Sequence, residues 1–216
     1  SQLLRLNVLI FQGRYLECVQ PAFDLLAVVE ELAEADDDNL GEALHILGSV
    51  LMETDRLEEA EKYFKRDIEW SEENFGKFHP KTVDAIGVMG KLLNRQGKYA
   101  EAIEYFKKSR KTYRKIYGST HPKTLVSLAN IAATAGEMGD YELALKMQKD
   151  VVRIRKQRLG KKHPATLQAM RNLAFLYKTT GSFKKSETLL RKVISAQIKT
   201  LGNEHPEVLG SRSNLS

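Results

Sequence analysis

HPKTLVSLANIAATAGEMGDYELALKMQKDVVRIRKQRLG, residues 121–160, is followed almost at once by another His-Pro and a similar run. The His-Pro pairs fall at His79-Pro80, His121-Pro122, His163-Pro164 and His205-Pro206, always 42 residues apart. A fixed period of this size marks a chain built from stacked repeats. Other residues keep the same step. Gly76, Gly118, Gly160 and Gly202 stand three residues before each His, and Gly97, Gly139 and Gly181 recur in mid-unit, followed by Tyr99, Tyr141 and Phe183.

These marks split each unit into two helices. His-Pro reads as a start, with His at the cap and Pro at the first helical position, where a missing N–H costs nothing. Thr124, Leu125, Leu128, Ile131 and Ala132 follow at helical spacing. Gly139 supplies the left-handed turn that ends the first helix, and Asp140 can cap the second. Tyr141, Ala144, Leu145, Gln148, Val151, Val152 and Leu159 form the second stripe, closed by Gly160. Short turns make each pair antiparallel. The reading predicts pairs at about 40–54/57–75, 80–96/99–117, 122–138/141–159 and 164–180/183–201, with a half-unit from 206. Gly90, Ala102, Ala132, Ala144 and Ala174 are expected where helices approach closely, with Tyr99, Phe106, Tyr141 and Phe183 filling space between pairs. One pair cannot bury its apolar face alone, so the units stack.

On these residues the chain resembles the tetratricopeptide repeats, in the 42-residue form of kinesin light chains. The linkers Leu159-Gly160…His163-Pro164 and Leu201-Gly202…His205-Pro206 carry that likeness. Thr124–Ala132 and Thr166–Leu176 are also similar to the C-terminal repeat arms of fungal and bacterial NLR-like signalling ATPases. The resemblance implies an all-α, right-handed superhelical solenoid of antiparallel helix pairs. It covers 40–216 well and 1–39 loosely. The domain expectation is one repeat domain over 1–216: a degenerate unit at 1–39, units near 40–78, 79–120, 121–162 and 163–204, and a partial unit at 205–216.

In the first unit Gly13 and Tyr15 hold the register. Cys18 falls in the small-residue slot of Ala60 and Ala102 and reads as a packing residue. A single cysteine excludes an intramolecular disulfide and suits a reducing, cytoplasmic setting. The opening LLRLNVLIF is too short to span a membrane. Its apolar residues Leu3, Leu6, Leu9 and Ile10 are expected to need a cover from outside the unit. Both ends, the second at Asn214-Leu215-Ser216, read as cuts through a longer protein with further domains or repeats. Asp36-Asp37-Asp38-Asn39 replaces the Gly…His-Pro linker and is expected to cap the helix carrying Leu40, Leu44, Leu47 and Leu51.

Charge is divided. Residues 1–75 hold six Lys+Arg against eighteen Asp+Glu, whereas the rest holds twenty-eight against ten. Many cations lie on second helices, such as Arg153, Arg155, Lys156 and Arg158. The ordinary meaning of such a run is a solvated face; an acidic partner or lipid surface is the next reading, nucleic acid a minor one.

No catalytic or metal site emerges. Equivalent histidines in adjacent units stand about 10 Å or more apart, given helix spacings of about 8–10 Å, while zinc needs each ligand at about 2 Å. There is no phosphate loop, nucleophile elbow, H-E-x-x-H or C-x-x-C. The chain is therefore read as a non-enzyme without cofactor, and mid-helix His45 as a residue without a role.

What remains is binding. In kinesin light chains the Asn-Leu-Ala segment of the first helix contacts a cargo peptide backbone. Asn130-Ile131-Ala132 and Asn172-Leu173-Ala174 match it, and Asn214 keeps the step. Asn both donates and accepts, as a peptide amide requires; tying adjacent units together is the equal alternative. Lys91, Arg95, Arg171 and Lys178 make the expected groove positive, favouring an acidic peptide. Ala129 and Ala133, and Arg171 and Phe175, occupy the slots of the carboxylate clamp in chaperone-binding relatives, so a chaperone tail is not expected. The candidate peptide site is Asn130, Asn172, Lys91, Arg95, Arg171, Phe175 and Lys178. The expected role is an adaptor or cargo-recognition module; the alternative is a ligand-sensing arm of a signalling ATPase.

Overall fold

Each His-Pro starts a helix. The computed structural model describes residues 2–32, 38–213 and 215, which form helices and connecting turns. In order these are α1 (Gln2–Phe11), α2 (Tyr15–Leu32), α3 (Asp38–Glu53), α4 (Leu57–Phe75), α5 (Pro80–Arg95), α6 (Tyr99–Tyr117), α7 (Pro122–Met138), α8 (Tyr141–Leu159), α9 (Pro164–Thr179), α10 (Phe183–Leu201) and α11 (Pro206–Ser213). From α3 onward they match the predicted spans within two residues. Asp36 and Asp37 of the expected acidic cap, and Asn214, lie outside the described residues.

The histidine cap is literal. Nδ1 of His79, His121, His163 and His205 accepts the backbone N–H two residues on, at 3.3, 3.2, 3.2 and 3.2 Å. That satisfies one of the donors a helix start leaves open. Threonine strengthens the linker: the Thr82 hydroxyl lies 3.0 Å from the Ser71 carbonyl and 2.9 Å from that of Gly76, and Thr124 donates to the Gly118 carbonyl at 2.9 Å. At His79 and His121 an aromatic four residues earlier lies against the imidazole ring. The Phe75–His79 centroids are 4.7 Å apart and the Tyr117–His121 centroids 4.3 Å. At the other end of α7, Gly139 takes φ 88° and Asp140 accepts from the Leu143 N–H at 3.0 Å.

The chain forms two compact units, Ser1–Thr112 and Tyr113–Ser216. In the first, consecutive helices pack on one another around Leu44, Leu47, Leu51, Phe64, Ile86, Met89 and Leu92, all fully buried. Each such side chain contributes about 1.5–3 kcal/mol. Glycine fits beside phenylalanine here. A Cβ on Gly48 would meet Phe64 at 2.7 Å, and one on Gly90 would meet Phe106 at 2.7 Å. Cys18 is fully buried, its thiol donates to the Arg14 carbonyl at 3.2 Å, and burial pushes its pKa up, all in keeping with a packing role.

Two expectations about this unit are corrected. Leu6 and Leu9 need no outside cover, because α1 turns them inward onto its own unit; Ile10 is half-buried, and the Leu3 side chain is outside the described residues. The apolar residues left exposed on α1 are Leu4, Val8 and Phe11. His45 is not idle. Its Nδ1 lies 2.9 Å from Oδ2 of buried Asp67, which also accepts from Ser71 at 3.3 Å, so α3 and α4 share a polar link.

In the second unit Leu125, Leu128, Val151 and Ala169 form one cluster and Leu167, Met170 and Val193 another. The space-filling role given to the four aromatics holds for Phe106 alone: Tyr141 and Phe183 are 38% and 65% exposed, and Tyr99 is half-buried. Helix-start positions keep register without facing the core.

Candidate functional site

The second unit opens a cleft where the first is filled. Position by position along the 42-residue step, Gly48 with Phe64 and Gly90 with Phe106 become Ala132 with Gln148. The phenyl ring is gone. Gln148 instead sends its Nε2 to the Ala169 carbonyl on α9 at 2.8 Å, buried. A cleft of about 380 Å³ results, lined by Ala129, Ala132, Ala133, Gly136, Tyr141 and Leu176 among others. Its wall is apolar; Glu137 is its one charged lining residue.

Beside it lies a second cleft, of about 220 Å³, between α9 and α10. Arg171 and Lys178 line it, with Gln168, Ser186 and Leu190, and no carboxylate does. Asn172 and Phe175 line both clefts and form the ridge between them. Phe175 is 68% exposed, a large apolar ring held out from the helix. The Arg171 guanidinium donates to Gln168 Oε1, and Gln168 Nε2 donates to Asn172 Oδ1 at 3.0 Å. The chain of bonds orients the Asn172 amide and occupies its oxygen, which leaves Nδ2 to donate.

Of the sequence-selected residues, the structure brings Asn172, Arg171, Phe175 and Lys178 together along α9. Asn130, on α7 and half-buried, lines neither cleft. Lys91 and Arg95 lie exposed on α5 of the other unit. Arg95 is paired there with Glu53 at 3.4 Å and Asp55 at 3.8 Å, so part of its charge is already answered. Sequence reasoning did not find Ala132, Gly136, Tyr141 and Gln148 as cleft residues. The signal was present as the Phe-to-Gln change at the position equivalent to Phe64 and Phe106.

No described helix is long and apolar enough to cross a membrane.

The chain is similar in structure to a kinesin-light-chain-type protein of Podospora anserina with nearly identical TPR-like repeats, at TM-score 0.83 and 22% identity, covering 93% of this chain and 94% of that one. It is also similar to BtubC (BKLC) of P. vanneervenii, at TM-score 0.78 and 19% identity over 93% and 80% of the two chains. A Rap protein complexed with Competence and Sporulation Factor gives TM-score 0.70 at 13% identity, covering 98% of this chain and 60% of that one. At such identities the likeness shows a shared fold. No curated protein matches the sequence. The family profile of the tetratricopeptide repeat matches residues 39–114, 82–157 and 137–199, most of the chain. With helix pairs capped and turned alike at a 42-residue step, the chain belongs to the tetratricopeptide-repeat family.

Proposed function

We propose that the chain is a non-catalytic protein-interaction module that holds a peptide segment across α9. One observation carries this reading: Asn172 and Phe175 form the ridge between an apolar cleft and a cationic one. The apolar cleft suits a large hydrophobic side chain, since its alanine and glycine walls leave room and little polar surface to desolvate. The cationic cleft suits an acidic side chain, held by Arg171 with Lys178 nearby. Asn172 Nδ2 can donate to a peptide carbonyl between the two. A Rap protein of the same fold is known in complex with Competence and Sporulation Factor, which supports a binding role for such a scaffold. Work as an adaptor or cargo-recognition domain in the cytoplasm is the setting this reading favours.

The test is a peptide array probed with the whole chain and with Asn172→Ala, Phe175→Ala and Arg171→Glu variants. The expected hits carry an acidic residue beside a large apolar one and fade in all three variants. Hits that persist unchanged in Phe175→Ala and Arg171→Glu overturn the proposal.

A further inference from the structure

A different cavity lies at the linker end of the second unit's helices. It holds about 540 Å³, and Tyr117, His121, Arg155, Arg158, Leu159 and His163 are among the residues that line it. Its polar groups are nearly all donors. Nδ1 of His121 and of His163 is used in capping α7 and α9, so Nε2–H is what each neutral ring has left to give. Arg155 and Arg158 add two guanidinium groups, and no carboxylate lines the space.

Arg155 is the unusual member. Its equivalents 42 residues apart are Ser71, Tyr113 and Gln197, all uncharged and all buried. In the next unit Gln197 Nε2 donates to the Glu207 carboxylate at 3.1 Å. The residue equivalent to Glu207 here is Ala165, which has only its backbone carbonyl to offer, and Arg155 Nη1 takes it at 2.9 Å. So this unit puts a cation into an inward slot and removes the carboxylate that would stand opposite. Arg155 is half-buried, and desolvation lowers its pKa from the ordinary value. Neither guanidinium has a carboxylate partner among the described residues. A partly desolvated, unpaired cation is costly unless an anion reaches it.

The remaining wall is apolar and open. Tyr117, Val126 and Leu159 are 40%, 46% and 46% exposed at its edge. Tyr117 is held in place by its stack on His121.

We propose that this cavity binds an oxyanion carried on an apolar group, with an aryl phosphate monoester as the class that fits. Two guanidinium forks and two imidazole N–H groups answer the three terminal oxygens of a phosphate. Tyr117, Val126 and Leu159 receive the ring. This site is independent of the clefts along α9. The phosphate is either part of a small molecule or on a tyrosine side chain of a partner; the chemistry is shared.

Calorimetric titration of the whole chain with phenyl phosphate, inorganic phosphate and phenol at about 0.15 M salt tests it, because surface attraction alone is largely screened there. One saturable site for phenyl phosphate is expected, with inorganic phosphate weaker. Arg158→Gln should weaken phenyl phosphate about tenfold or more, the scale of one charge-assisted bond. Arg153→Gln, on the same helix but paired with Asp150 at 2.8 Å and outside the cavity, should leave binding unchanged. Arg155→Gln tests the central group; if that variant fails to fold, Arg158→Gln decides. Leu159→Ala should weaken phenyl phosphate but not inorganic phosphate. A phosphotyrosine peptide that binds tighter than phenyl phosphate points to a protein side chain as the source, and equal or weaker binding to a small molecule. No saturable binding of phenyl phosphate, or equal losses in Arg158→Gln and Arg153→Gln, overturns the proposal. Equal affinity for inorganic and phenyl phosphate overturns its apolar half.

Discussion

Gly90 packs against the Phe106 ring, so closely that a β-carbon on Gly90 would stand 2.7 Å from the phenyl Cε1. The same fit joins Gly48 and Phe64 one repeat earlier. The two residues share one volume, and the helices can touch only because one of them has no side chain.

Gly90→Ala should therefore destabilise the fold by about 1–3 kcal/mol, the range for overpacking a dense core. Gly87→Ala on the same helix is the control. Nothing lies within 4 Å of a Cβ there, and alanine's better helix propensity should stabilise by up to about 1 kcal/mol. Urea unfolding of the two variants should give opposite signs. Pairing Gly90→Ala with Phe106→Leu, the Ala174 and Leu190 combination of a later unit, should recover part of the loss.

A second contrast lies in the linker threonines. Thr82 donates to a buried carbonyl, whereas the hydroxyl of Thr166, equally buried, has no partner among the described residues. Thr82→Val should cost about 1–3 kcal/mol by leaving buried acceptors short. Thr166→Val should be neutral or mildly stabilising, and the next unit already carries Val208 at this step. Thermal unfolding of both variants checks the pair.

Asp55 stands where the other units have Gly13, Gly97, Gly139 and Gly181, and it takes φ 63°. A left-handed conformation costs an L residue about 1–2 kcal/mol, less for Asp. Its contact to Arg95, at 3.8 Å on the surface, returns little. Asp55→Gly should raise stability by about 0.5–1 kcal/mol after the greater chain entropy of glycine is subtracted. A lower unfolding midpoint would contradict this.

Glu61 sets an acid limit. Lys65 at 2.7 Å, then Gln96 at 3.0 Å and Lys98 at 3.1 Å, hold its carboxyl at about 2, below the ordinary 4.5. A carboxyl depressed in the folded state stabilises fully above its unfolded value. That stability is lost as pH falls from about 4.5 towards about 2. Glu61→Gln should cost about 1–2 kcal/mol at pH 7, allowing for the solvated lysines. The gap to wild type should narrow below about pH 4.5 and close only near pH 2, as followed by denaturant midpoints across that range.

The helix pairs were legible because His-Pro and Gly act locally: a cap, a fixed φ and a left-handed turn work within four residues of their own position. Packing across helices was less so. The His45–Asp67 link joins residues 22 apart in sequence, and no local pattern marks either as a partner. Phe183 kept register with Tyr99 and Tyr141 yet is largely exposed, and Tyr141 edges an open cleft, since register fixes a place on the helix but not what stands opposite. On α9 the likeness to the kinesin-light-chain Asn-Leu-Ala segment chose Asn172, and Arg171, Phe175 and Lys178 followed because a helix places them beside it on neighbouring turns. The apolar cleft beside them was hidden in the loss of an aromatic, Gln148 for Phe, which shows only when repeats are laid over one another.

Charge reversal along α9 separates specific peptide recognition from general surface attraction. The whole chain and an Arg171→Glu/Lys178→Glu variant would be titrated with two peptides that share one large apolar residue and differ only in an adjacent Glu or Lys. Wild type should favour the Glu peptide by about tenfold or more, the variant should prefer the Lys peptide, and Phe175→Ala should weaken both. The same preference in wild type and variant, with Phe175→Ala binding as tightly as wild type, would contradict it.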